Sequence, residues 1–103
     1  MPRLQTRPVQ ERKPPFYVGI DIGKALHHAD VVDAEGTPCV SKVLAFANTR
    51  AGYTQLFMLL TEATAQAAPT EMTVGCEATG PYWLSLYEAL IDRSYRVAGP
   101  QAL

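Results

Sequence analysis

The chain has 103 residues, 48% of them apolar and 18% charged, with a formal net charge of −1. That length holds one domain of ordinary size, and the composition excludes the disordered, collagen-like and disulfide-stapled classes. Apolar runs break well short of the roughly 20 residues of a membrane-spanning helix, and the N-terminus lacks the apolar core of a secretion signal. The reading is therefore a soluble cytoplasmic protein with no membrane partner. Cys39 and Cys76 lie far apart in sequence, match neither a zinc site nor a disulfide framework, and read as buried, reduced thiols.

Charge is unevenly spread. Residues 1–15 hold Arg3, Arg7, Arg12 and Lys13 against Glu11, together with four of the eight prolines. Proline removes backbone donors and discourages helix, so residues 1–15 are predicted to be a flexible basic leader, either touching nucleic-acid phosphates or merely solubilising the terminus. Residues 16–103 form the domain.

The segment Phe16–Ile22 is β-rich and apolar on both alternating sets, which predicts a central strand covered on both faces. A second strand at about Ala29–Val32 and a third at about Cys39–Phe46 flank a turn in which Gly36 supplies a left-handed residue. Tyr53, Leu56, Phe57 and Leu60 recur with helical period behind a cap at Asn48 or Thr49, and this helix should end near Ala67. Met72–Glu77 reads as a fourth strand. Pro81 then opens a second helix whose apolar stripe is Trp83, Leu86, Tyr87, Leu90 and Ile91, and Tyr95–Ala98 closes the pattern as a short fifth strand. The order β-β-β-α-β-α-β predicts an antiparallel meander, a right-handed crossover to a strand parallel to the first, and a mixed sheet with helices on its faces.

Two carboxylates stand out. Asp21 lies in the apolar first strand, where a buried charge needs a partner, a proton or a metal; alternatively it sits at an exposed strand end and accepts bonds from the Gly23-Lys24 turn. Glu77 ends the fourth strand just before a glycine-containing loop, the end of the strand where ligand sites of open α/β sheets gather. If the fourth strand lies beside the first, the two acids face each other across roughly 5 Å, and a divalent cation offsets their repulsion. Oxygen-only ligation suits Mg²⁺ or Mn²⁺. Two carboxylates are few for a two-metal site, and Asp33, Glu35, Glu88 and Asp92 fall on a turn or on helix surfaces. His27 and His28 should point to opposite faces of a strand. Asp30 reads as structural, Lys24 as a solvated side chain or a phosphate contact, Trp83 as core, and Tyr82 as a residue able to stack on a base.

Three segments in order, Tyr17-Val18-Gly19-Ile20-Asp21-Ile22-Gly23-Lys24, Phe46-Ala47-Asn48-Thr49 with Gly52, and Glu77-Ala78-Thr79-Gly80-Pro81-Tyr82, resemble the N-terminal part of DEDD transposases of the "one-ten" insertion-sequence family. The likeness runs from about Phe16 to Ala98. It implies a ribonuclease-H-like fold of the RuvC type and four acids that bind Mg²⁺ to cut and exchange DNA strands. Asp21 matches the first acid and Glu77 the second, which makes them the catalytic and metal-binding residues implied. The implied aspartate pair after the fifth strand, and a further domain bearing a serine, have no counterpart before Leu103, so the resemblance is to a truncated catalytic domain, inactive alone. DNA, a guide RNA and a homo-oligomer are the partners implied for the full-length protein.

Two other classes compete. Asp21-Ile22-Gly23 also suits the phosphate-contacting strand of an actin-like sugar or acetate kinase, although no second glycine-rich loop accompanies it. A non-catalytic remnant that binds nucleic acid through its basic leader is the third reading.

Overall fold

The computed structural model describes residues 14–77 and 81–98; most of the expected leader (1–13), the loop 78–80 and residues 99–103 lie outside the described residues. Five strands, β1 (Phe16–Asp21), β2 (Leu26–Val32), β3 (Leu44–Ala47), β4 (Met72–Glu77) and β5 (Arg96–Ala98), form one sheet in the order β3-β2-β1-β4-β5. The helices are α1 (Arg50–Ala63) and α2 (Leu84–Asp92), with a 3₁₀ turn at Pro69–Glu71 leading into β4. β1 pairs antiparallel with β2 and parallel with β4, β2 antiparallel with β3, and β4 parallel with β5. This is the mixed α/β sheet that the element order predicts, in the ribonuclease-H-like arrangement that the family resemblance implies.

The sheet has one covered face. Phe16, Val18 and Ile20 are buried, whereas Tyr17, Gly19 and Asp21 between them are exposed, because successive strand residues point to opposite sides. The buried set joins Ala29 and Val31 of β2, Met72 and Val74 of β4, Leu56 and Leu60 of α1, and Leu86 and Leu90 of α2 in a single core. Phe57 of α1 stacks on Tyr95 at 5.4 Å and carries the Arg93 guanidinium over its ring, which ties the two helical segments together over that face. The expectation of a first strand covered on both sides, with helices on both faces, is therefore corrected: among the described residues the second face is open. Tyr17, 47% exposed, reads as apolar in sequence but lies on that open side.

Local chemistry accounts for the other departures. β2 begins at Leu26 rather than Ala29, because His27, polar in sequence, is fully buried on the core side. β3 is shorter than predicted: Cys39 and Val40 are both buried, which consecutive residues of a one-sided strand cannot be, so the chain bends until Leu44. Cys39 still donates its N–H to the Val31 carbonyl at 2.8 Å. Gly36 turns with φ 79° as expected. The turn is held by Asp33, fully buried, whose Oδ1 accepts the N–H groups of Glu35 and Thr37.

Thr49 caps α1 by accepting the Gly52 N–H at 3.0 Å, and a Cβ at Gly52 would collide with the Ala47 carbonyl. α1 stops at Ala63 rather than near Ala67. Thr64 returns its hydroxyl to the Leu60 carbonyl and Ala65 and Gln66 adopt positive φ, a conformation that ends a right-handed helix. In α2 the expected stripe narrows to Leu86 and Leu90, with Trp83 buried just before the helix, while Ile91 is 46% exposed. No helix among the described residues is long and apolar enough to cross a membrane.

Candidate functional site

Asp21 is the last residue of β1 and Glu77 the last of β4, and the parallel ladder sets them opposite one another. Both are exposed on the open face, with their strands about 4.8 Å apart. The Glu77 carbonyl accepts the Ile22 N–H at 3.5 Å, so the pairing runs to the end of both strands. Exposure removes the desolvation problem raised for Asp21: its carboxylate faces water rather than core. The turn bond considered for Asp21 is used elsewhere, since the Gly23 N–H donates to His27 Nδ1 at 3.1 Å.

That bond belongs to a partly buried knot that fixes the loop after Asp21. With Nδ1 accepting, the neutral His27 ring carries its proton on Nε2 and donates it to Asn48 Oδ1 at 2.9 Å. The same oxygen accepts the Tyr53 hydroxyl, and Asn48 Nδ2 donates to the Lys24 carbonyl. Asn48, whose side chain does not cap α1, instead clasps the β1–β2 loop to the start of that helix. A Cβ at Gly23 would collide with the Leu26 carbonyl, which keeps the loop tight. Burial raises the Tyr53 hydroxyl pKa, partly offset by its bond with Ser85.

On the other side of Asp21, the antiparallel ladder sets His28 opposite it and Asp30 opposite Gly19. Both are exposed on the same face as the carboxylate pair. Asp21, Glu77, His28 and Asp30, with Gly19 and Val43, line one cavity of about 450 Å³. Neither His28 nor Val43 has a role in the sequence reading, and Asp30 has a structural one, met in part by its bond to the Val31 N–H at 3.0 Å. The signal that finds His28 and Asp30 lies within the second strand, where they alternate with the apolar Ala29 and Val31 and so share its uncovered face. His27 and His28 point to opposite faces, as expected, and share no site. Glu88 and Asp92 line a different cavity with Arg50 and Tyr53, between the helices. Trp83 is buried, and Tyr82 is 41% exposed beside the undescribed loop.

Two hard oxygen donors side by side fit Mg²⁺ or Mn²⁺, which keep several waters and bind through one or two carboxylates plus substrate phosphate. Among the described residues no group of three or more His, Cys, Asp or Glu side chains is arranged to hold a metal ion. Cys76, next to Glu77 but on the core side, takes no part: burial pushes its thiol up to about 11.

Comparison with known proteins adds a family. The DEDD transposase family of the IS110 type, described as Transposase, matches residues 18–101. No curated protein matches the chain. Among solved structures, a foamy viral protease-reverse transcriptase in complex with an RNA/DNA hybrid is 11% identical, with a TM-score of 0.49 over 87% of this chain and 16% of that one. The ethanolamine utilization protein EutJ from Carboxydothermus hydrogenoformans is 16% identical, with a TM-score of 0.42 over 91% of this chain and 37% of that one. The chain thus spans well under half the length of either.

Proposed function

Since the chain belongs to the IS110-type DEDD transposase family, we propose that its open sheet face carries one half of a DNA-cleaving site, with Asp21 and Glu77 as metal-binding catalytic residues. The observation that carries the reading is their register on adjacent parallel strands, both exposed on one face. Mg²⁺ or Mn²⁺ held there would neutralise a phosphodiester and lower the pKa of bound water, the chemistry of strand cleavage.

The chain's own contribution is placement. β1 and β4 are locked together by core packing beneath the carboxylates, and the His27–Asn48–Tyr53 knot keeps the Gly23–Ala25 loop from folding across them. Like charges left adjacent cost stability unless a cation joins them, so the pair is poised for binding rather than for structure. Strand exchange, a guide RNA and a homo-oligomer are the family's wider setting, proposed for the full-length protein. Two of the four acids of the family pattern stand in this chain, and the expected behaviour of the 103-residue chain by itself is cation binding without cleavage.

Thermal unfolding with and without Mn²⁺ tests this. A ligand at 100 times its Kd stabilises the folded state by about 2.7 kcal/mol, enough to raise Tm by several degrees in a domain of this size. Asp21→Asn and Glu77→Gln should each remove that rise while folding normally. Equal Mn²⁺ stabilisation of both variants and the unaltered chain would refute the assignment, and Mn²⁺-dependent nicking of DNA by the unaltered chain would refute its inactivity.

A further inference from the structure

The cavity beside the carboxylates, about 450 Å³, lies within the roughly 300–1,000 Å³ typical of small-ligand sites. Its contents are unlike those of the metal pair. The floor is Gly19, where an added Cβ would meet nothing within 4 Å. A glycine in mid-strand weakens the strand and marks a place where a ligand or another backbone comes close. Gly23 and Gly52 are required from inside the protein by backbone collisions; no neighbour within 4 Å requires Gly19.

The walls give the cavity a polarity. Val43, an apolar side chain 53% exposed, and the exposed His28 both line it. Both suit a flat, uncharged ring. At the end away from Glu77, Asp30 presents a carboxylate anchored by the Val31 N–H. A second phosphate would be repelled there, whereas an amino group would find an acceptor. The anion-accepting end, through a cation, is Asp21 with Glu77.

We propose that this cavity is the nucleoside subsite of the DNA strand whose phosphate is held at Asp21 and Glu77. Sugar and base lie over Gly19 against Val43 and His28, and Asp30 accepts from the exocyclic amino group of the base. The proposal rests on the two-carboxylate reading above and adds to it a ligand half that the carboxylates do not touch.

Deoxyadenosine 5′-monophosphate and inorganic phosphate, each titrated in Mg²⁺ against the 103-residue chain by NMR, separate the nucleoside from the phosphate. The nucleotide should bind at least about tenfold more tightly than phosphate alone. Gly19→Val, which fills the floor without a clash and suits a strand, should abolish that preference and leave Mn²⁺ affinity within about twofold. Gly75→Val is the control: Gly75 pairs with Gly19 one strand away, has the same open space above it and does not line the cavity. It should keep the preference. Equal binding of nucleotide and phosphate to the unaltered chain, or a preference that survives Gly19→Val, overturns the subsite while Mn²⁺ binding stands. Failure of the unaltered chain to bind Mn²⁺ overturns the metal reading and the subsite with it.

Discussion

On the covered face of the sheet, Phe16, Val18 and Ile20 of β1 meet Met72, Val74 and Cys76 of β4, each no more than 9% exposed. On the open face the same two strands present Tyr17, Gly19 and Asp21 beside Thr73, Gly75 and Glu77. Every member of the first set is accounted for by packing. The second set breaks the rules of stable strands, with two paired mid-strand glycines and two like charges at adjacent positions. A chain selected for stability alone has no use for that combination, so the open face is where function is to be sought. Because alternation puts consecutive residues on opposite faces, three neighbouring pairs test the contrast at nearly constant backbone position.

The largest difference should come from Ile20 and Asp21. Ile20→Ala removes a side chain 2% exposed and should cost about 2–5 kcal/mol. Asp21→Asn, measured by urea unfolding without divalent cations, should stay within about 0.5 kcal/mol of the unaltered chain. An Asp21→Asn cost approaching that of Ile20→Ala would mean that the carboxylate is structural and the face not open.

His27 and His28 come next. His27→Ala leaves the Gly23 N–H without its acceptor and takes one of two donors from Asn48 Oδ1, which keeps the Tyr53 hydroxyl, and a polar group left unsatisfied away from water costs about 1–3 kcal/mol. His28→Ala, on the exposed side, should change stability by no more than about 0.5 kcal/mol. Amide hydrogen exchange sharpens the result, since Gly23–Ala25 should lose protection in the first variant and keep it in the second.

These pairs also show what could be read from the residues in advance. The strand that carries Glu77, the crossover that sets it beside β1, and the register of the two acids follow from periodicity and short connections, because helix and strand periods are strong signals over Tyr53–Leu60 and Met72–Glu77. Which face is covered was not legible: Tyr17, Gly19 and Ile22 are equally compatible with a buried strand, and only packing decides. His27 was hidden for a related reason. A histidine in a core is intelligible only once Gly23, Asn48 and Tyr53, distant in sequence, are brought around it. The cavity over Gly19 draws on β1, β2, β4 and the segment before β3 at once, and no single stretch of sequence announces it.

The smallest effect separates Cys76 from Glu77. Burial pushes the Cys76 thiol up to about 11, against about 8.5 for a free cysteine, so the folded chain keeps a proton that the unfolded chain releases. By linkage, the stability tied to this proton is present in full below about pH 8.5 and drains away as pH rises towards about 11. Burial also raises Tyr53 and Tyr95, against the Ser85 bond in one case and the Arg93 charge in the other, and their loss adds at the top of the range. Urea midpoints followed through that range should therefore fall for the unaltered chain and fall less steeply for Cys76→Ala, whatever the offset between the two curves. Glu77→Gln, one residue on but facing water, should leave the slope as it was. A Cys76→Ala curve parallel to that of the unaltered chain would place the thiol in contact with solvent, and the boundary between the two faces would then have to be drawn one residue earlier along β4.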